Sequence, residues 1–137
     1  MALFTWSDKY SVGNSAMNDH HKNLFNILNK LYDLDESDIK FNIGHILNDL
    51  ISYTEYHFRE EEILMEKAQY VGLASQKNAH CEFVNRLKEY RDKVKNNADM
   101  SIFVANEVAM TATEWLKVHI LKMDKDYEKS LRDAGLM

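Results

Sequence analysis

Four stretches of this chain repeat apolar residues at steps of three and four, which is the period of a helix with one buried face. The first covers about residues 18–34, and the second runs from a polar break at residues 35–38 to about Lys67. The third and fourth cover about residues 73–96 and 99–123. Because short connections force neighbouring helices to run antiparallel, the pattern predicts an all-α, up-down-up-down four-helix bundle.

The two ends of the chain lack this periodicity. Residues 1–16 are predicted to form an extended N-terminal arm packed on the bundle, which itself takes up residues 17–124. The polar residues 125–137 are predicted to form a tail that is either a short helix or a loose end. The length of 137 residues therefore corresponds to one domain, large enough to bury a core.

The composition supports a helical fold and argues against nucleic acid as a partner. Proline is absent and glycine occurs four times, whereas sandwiches and barrels need many turns. The net charge is −5, so the chain offers little to a phosphate backbone and no nucleic acid is expected as a partner.

The cellular location is predicted from the cysteine content and the N-terminus. The only cysteine, Cys81, excludes an internal disulfide framework and fits a reducing compartment. The first residues lack the basic and apolar regions of a signal peptide, and no apolar run approaches the roughly 20 residues of a membrane span. We therefore expect a cytoplasmic protein without a membrane partner.

Each of the four apolar stripes also carries a histidine, and the second carries a carboxylate. The residues are His21, His57 with Glu61, His80 and His119. A lone histidine on an apolar face is usually a hydrogen-bonded core residue, but four of them with one buried glutamate reverse that expectation, because a buried carboxylate needs a cation. Imidazole and carboxylate ligands together suit iron, manganese or zinc, and bridging carboxylates suit a pair of metal ions.

Asp124 is a further carboxylate near this set, but its spacing is awkward. It follows His119 by five residues, which places the two side chains about 140° apart on an ideal helix. Both reach one site only if the helix ends or distorts near Met123.

Four segments, in order and with the expected spacing, resemble the helix motifs of the hemerythrin family. They are Met17–Phe25, Tyr53–Glu62, His80–Phe83 and Trp115–Lys125. Tyr53–Glu62 is similar to the motif H-F-x-x-E-E, His80–Phe83 to H-x-x-F, and Trp115–Lys125 to W-L-x-x-H-I-x-x-x-D-K. Trp6 and Val12-Gly13 also fit the family's N-terminal arm, so the resemblance covers nearly the whole chain.

The resemblance implies two iron ions bridged by Glu61, Asp124 and an oxo or hydroxo oxygen. It assigns His21 and His57 to one iron, and His80 and His119 to the other. The first iron would keep an open position where dioxygen binds, and the fourth helix would present Asp124 despite its spacing. Leu116, one turn before His119, is our candidate for an apolar wall that keeps water from the bound oxygen.

One departure from the family bears on function. Gln76 stands four residues before His80, where the family has another histidine ligand. An amide oxygen is a weaker iron ligand than imidazole, so either Gln76 coordinates weakly or water takes its place. His20 and His45 lie about 100° and 120° off the ligand faces, and both are predicted to be surface histidines.

Oxygen binding by a carrier, store or scavenger is the leading hypothesis, and we expect no enzymatic activity. A redox enzyme that reduces peroxide or another small oxidant is the alternative, because the loss of one histidine would open a second exchangeable position. A sensor module is the third hypothesis. An electron donor is implied but unidentified, and a monomer is the default expectation for the oligomeric state.

Overall fold

The structure is a computed structural model that describes residues 3–137. Its α-helices are α1 (Ser15–Asp33), α2 (Glu36–Lys67), α3 (Leu73–Asn96), α4 (Ser101–His119) and α5 (Lys125–Asp133). Helix α1 packs against α2 and α4, and α3 packs against the same two helices. This confirms the all-α four-helix bundle, and the bounds of α3 are those that the sequence predicts.

Polar caps fix where the first two helices begin. The side chain of Asn14 accepts a hydrogen bond of 3.0 Å from the backbone nitrogen of Met17, and Asp35 accepts one of 2.8 Å from Asp38. Each cap satisfies a backbone N–H that has no partner within its helix. Helix α1 therefore begins at Ser15, inside the segment predicted as arm.

The tight turn between α2 and α3 sets the register of the ligand-bearing helices. Gln69 adopts a left-handed conformation with φ of 54°, and the Tyr70 nitrogen donates 2.9 Å to the carbonyl of Met65. These bonds close the end of α2 as a Schellman motif does. Helix α3 begins three residues after Tyr70, so it turns back along α2 at once.

The N-terminal arm packs on the bundle through its aromatic residues. Phe4 stacks on Phe25 of α1 with ring centroids 3.6 Å apart, and its backbone exchanges two hydrogen bonds with the Asn29 side chain. Tyr10 is buried and belongs to a short 3-10 turn, so the arm is not extended throughout. Met1 and Ala2, which the predicted arm includes, lie outside the described residues.

The last helical run differs most from the sequence-based expectation. Helix α4 passes into a π-helical segment, Ile120–Asp124, and then directly into α5. Tyr127 and Leu131 of α5 are fully buried. The predicted tail is therefore a helix that belongs to the core, and Gly135 with φ of 72° ends it. None of the helices within residues 3–137 combines the length and apolar character needed to cross a membrane.

Candidate metal centre

Six titratable side chains converge inside the bundle, and each is at most 5% exposed. They are His21 of α1, His57 and Glu61 of α2, His80 of α3, His119 of α4 and Asp124 of the π-helical segment. These are the six residues that the sequence indicates as metal ligands. The four-residue step between His57 and Glu61 puts both on the inner face of α2.

The ligand atoms form two clusters, in each of which they lie within 4.8 Å of one another. Glu61, His80, His119 and Asp124 form the first cluster; His21, His57 and Glu61 form the second. We call them the α3–α4 cluster and the α1–α2 cluster. Glu61 belongs to both, so a carboxylate joins them.

The two carboxylates divide their oxygens between the clusters. In the α3–α4 cluster, Glu61 Oε1 lies 3.2 Å from His80 Nε2, and Asp124 Oδ1 lies 3.1 Å from His119 Nε2. At the α1–α2 cluster, Glu61 Oε2 lies 3.4 Å from His21 Nε2, and Asp124 Oδ2, from the other cluster, lies 3.3 Å from the same nitrogen. Each carboxylate therefore has the arrangement that bridging two metal ions requires.

These spacings fit ligands around a cation. Two ligand atoms about 2.1 Å from one ion and at right angles to each other lie about 3.0 Å apart. The Nε2 atoms of all four histidines and Glu61 Oε1 are buried and have no hydrogen-bond partner within residues 3–137. Buried polar atoms are normally satisfied, so a pair of metal ions accounts for all five atoms at once.

The charges of the site differ from residue to residue in the absence of metal. Burial lowers the pKa of His57 to about 3, so this ring stays neutral and able to coordinate. Burial also opposes charge on His21, but contacts with Asp124 and Glu61 outweigh it and raise its pKa to about 9. The neighbouring histidines hold the pKa of Glu61 well below its usual value despite burial, so that carboxylate is ionised.

The outer ring nitrogens of two ligand histidines have polar partners. His57 Nδ1 lies 2.9 Å from His20 Nδ1, and His80 Nδ1 lies 2.7 Å from Glu62 Oε2. Such partners fix the ring orientation and the tautomer of a metal-binding histidine. His20 is only partly buried and is not among the clustered ligands, in line with the prediction, but its contact with His57 was not predicted; His45 is exposed as predicted.

Aromatic rings hold the other faces of the ligand histidines. Phe58 stacks on His80 with centroids 3.7 Å apart and planes 2° apart, and Trp115 stacks on His119 at 4.4 Å and 12°. Leu116, our candidate wall residue, lies on α4 one turn before His119 and is 2% exposed. Two ligand rings of the α3–α4 cluster are therefore packed against aromatic side chains.

The π-helical segment explains how Asp124 reaches the site. A π-helix joins residues five apart, so its turn is wider than that of an α-helix. His119 and Asp124 have that spacing, and their facing atoms are 3.1 Å apart. The distortion near Met123 that the spacing demanded is therefore present.

Gln76 lies at the same centre and is 1% exposed. Its Nε2 donates a hydrogen bond of 3.0 Å to Asp124 Oδ1. Its Oε1 is buried and has no hydrogen-bond partner in the described part of the chain. The sequence places Gln76 at the site through its four-residue step to His80, and the structure shows that its amide nitrogen faces the carboxylate.

Three residues that contact the ligand side chains were not identified from the sequence. Tyr127 of α5 donates a hydrogen bond of 2.7 Å to Glu61 Oε2, while His20 and Glu62 contact ligand histidines. His20 and Glu62 each lie next to a ligand in sequence and so off its helical face. Only the packing of the neighbouring helix brings them to the rings.

Comparisons with known proteins agree with this geometry. The family model of the hemerythrin HHE cation binding domain matches residues 12–131. A bacteriohemerythrin of Stenotrophomonas maltophilia (strain R551-3) is 30% identical over 132 residues, covering 96% of this chain and 84% of the relative. A bacteriohemerythrin of Clostridium acetobutylicum is 30% identical over 129 residues, covering 91% of this chain and 98% of the relative.

Solved structures give the same result. A wild-type hemerythrin superposes with a TM-score of 0.78 at 32% identity, covering 95% of this chain and 98% of that one. A leucine-to-alanine variant of hemerythrin gives a TM-score of 0.79 at 31% identity, with 96% and 98% covered. From its sequence, its fold and its cluster of buried ligands, this chain belongs to the hemerythrin family.

Proposed function

We propose that this protein binds dioxygen at a pair of iron ions, as a carrier, store or scavenger. The observation that carries the proposal is the division of the Glu61 and Asp124 oxygens between two histidine clusters. A single metal ion would leave one oxygen of each carboxylate, and two of the four histidines, without a cation.

The distances indicate which residues would bind each iron ion. His80 and His119 would hold one iron with Glu61 Oε1 and Asp124 Oδ1, and His21 and His57 would hold the other with the remaining carboxylate oxygens. Two ferrous ions held there would supply the electron pair that dioxygen binding requires. A solvent-derived oxo or hydroxo bridge between them is part of the proposal.

The protein's own contribution is to hold these ligands rigid and to keep the site dry. Phe58 and Trp115 stack on ligand rings, and we propose that Leu116, which is buried on α4, closes that side of the site with an apolar side chain. A dry surrounding protects a charged oxygen ligand from protonation and release. This favours binding over turnover, and we propose that the protein is not an enzyme.

Gln76 supports a second candidate function, a redox enzyme that reduces peroxide or another small oxidant. Imidazole is replaced there by an amide whose nitrogen faces Asp124, so the α3–α4 cluster offers fewer strong ligands than the family pattern. An exchangeable position at both metals would favour turnover. Under this alternative, Gln76→His slows turnover and prolongs the oxygenated state.

The decisive experiment is an optical spectrum of the iron-loaded protein through reduction, air and deoxygenation, with iron counted per chain. We expect about two irons and an absorption band that appears in air and disappears when oxygen is removed. Direct, irreversible oxidation would favour the redox enzyme. Glu61→Gln should lose iron, whereas Glu82→Gln on the exposed face of α3 should not. Full iron content in Glu61→Gln would contradict the bridging role.

A further inference from the structure

The orientation of the Gln76 amide group is determined by its hydrogen bond to Asp124. A carboxylate that binds metal ions accepts hydrogen bonds and has no proton to donate, so the group 3.0 Å from Asp124 Oδ1 is the amide nitrogen of Gln76. The opposite orientation would set two oxygen acceptors against each other. Gln76 Oε1 is therefore turned away from Asp124, buried, and without a hydrogen-bond partner among residues 3–137.

The ligands that surround the two metal positions are of the same types. The α3–α4 cluster has the imidazoles of His80 and His119 with one oxygen from each carboxylate. The α1–α2 cluster has the imidazoles of His21 and His57 with Glu61 Oε2, and Asp124 Oδ2 lies 3.3 Å from His21 Nε2. An iron or manganese ion that prefers six ligands is therefore left with an open position in either cluster.

We propose that the metal held by His80 and His119 has an exchangeable coordination position beside Gln76, and that Gln76 Oε1 accepts a hydrogen bond from its occupant. This inference rests on the proposed function, since it needs the metal pair. The occupant is a small neutral ligand that carries a proton to donate, with water as the resting occupant and hydrogen peroxide as a competing one. An anion without a proton would face the negative end of the amide dipole.

The competing interpretation is direct coordination of the metal by Gln76 Oε1. That arrangement would also satisfy the buried oxygen, but it would fill the position and exclude solvent. The two interpretations differ in one countable quantity, which is the number of exchanging water molecules bound to the metals.

Manganese(II) is a suitable probe, because it accepts the same imidazole and carboxylate ligands and relaxes bound water strongly. We would load the wild-type protein and the Gln76→His and Gln76→Leu variants, count manganese per chain, and measure oxygen-17 relaxation of water. We expect the wild type to hold one more exchanging water than Gln76→His. Gln76→Leu should keep that water but exchange it faster, since the acceptor is gone.

The outcomes separate this inference from the proposed function. Fewer than two manganese ions per wild-type chain would overturn both. Two ions with equal water counts in wild type and Gln76→His would overturn the inference alone and assign the position to Gln76 Oε1.

Azide tests the preference for a ligand that donates a hydrogen bond. Titrated against the oxidised iron protein, it should bind once per wild-type chain, at the α1–α2 cluster, and twice per chain in Gln76→Leu. Two azides on the wild type would overturn the preference. The Gln76→His variant, with the position filled by imidazole, should bind one.

Discussion

Tyr127 donates a hydrogen bond of 2.7 Å to Oε2 of Glu61, a residue 66 positions earlier in the chain. The bond joins α5 to the carboxylate that belongs to both histidine clusters. Burial and the charges of Glu61 and Asp124 raise the pKa of Tyr127 well above its usual value, so the hydroxyl stays protonated. The C-terminal helix is therefore part of the support of the metal centre.

Replacement of Tyr127 by phenylalanine should destabilise the metal-free protein by about 1–3 kcal/mol, because it leaves a buried carboxylate oxygen without its donor. Urea unfolding of metal-free protein measures the effect. Tyr32→Phe is the matched control, since Tyr32 is 43% exposed. Equal unfolding midpoints for the two variants would show that the bond contributes nothing.

His20 should act as the acceptor that orients His57. If His57 Nε2 binds metal, its Nδ1 carries the proton and donates to His20 Nδ1, 2.9 Å away. We expect His20→Ala to weaken metal binding by about 10- to 100-fold and His20→Gln, which restores an acceptor, to recover most of it. Competition with a chelator gives the affinities. His45→Ala should behave as wild type, and a loss there equal to that of His20→Ala would contradict a specific role for His20.

Metal binding should release protons, and His21 is their main source. Its pKa is raised to about 9 in the metal-free site, so at neutral pH it holds a proton that coordination must displace. Below about pH 9 the apparent affinity should therefore rise with pH, by about tenfold per pH unit for each proton released. Calorimetry in buffers of different ionisation enthalpy measures the release. Binding heats that do not vary with the buffer would contradict this prediction.

Leu116→Ala should shorten the lifetime of the oxygenated protein by more than its loss of folding stability accounts for. Leu116→Ala and Leu31→Ala both remove a side chain that is at most 2% exposed, so each should cost about 2–5 kcal/mol of unfolding free energy. Only Leu116→Ala should speed oxidation of the oxygenated protein, because water enters beside His119. Stopped-flow spectra follow that rate. Similar rates in both variants would remove Leu116 from the wall of the site.

The helices and the inward-facing ligands could be predicted because both depend on local spacing. Four-residue steps keep His57 with Glu61, and Gln76 with His80, on one face wherever the helix packs. The position of Asp124 could not be derived from spacing, since an ideal helix turns it away from His119.

The buried face of α5 was not predicted, because the π-helical turn before it also breaks the α-helical spacing from His119. Counted as one α-helix from His119, Tyr127 and Leu131 fall about 80° and 120° off its face. The π-helical turn absorbs one residue and brings both back to within about 20°. His20 escaped because its partner ring comes from α2, which spacing along α1 cannot reveal.

Because the turn at Ile120–Asp124 is π-helical, we expect the last helical run to tolerate deletion of one residue there, unlike the regular α-helices beside it. Deletion of Lys122 would leave an ordinary α-helix in which His119, Asp124 and Tyr127 still share a face. Deletion of Lys77, between Gln76 and His80, would instead turn the two halves of α3 by about 100° relative to each other. We expect the first deletion to keep two metals per chain and the second to weaken binding of the metal that His80 holds, as metal analysis of the purified proteins would show. A one-residue deletion keeps the ligands on one face where the helix contains an extra residue, as in the π-helical turn, and rotates them apart in a regular α-helix.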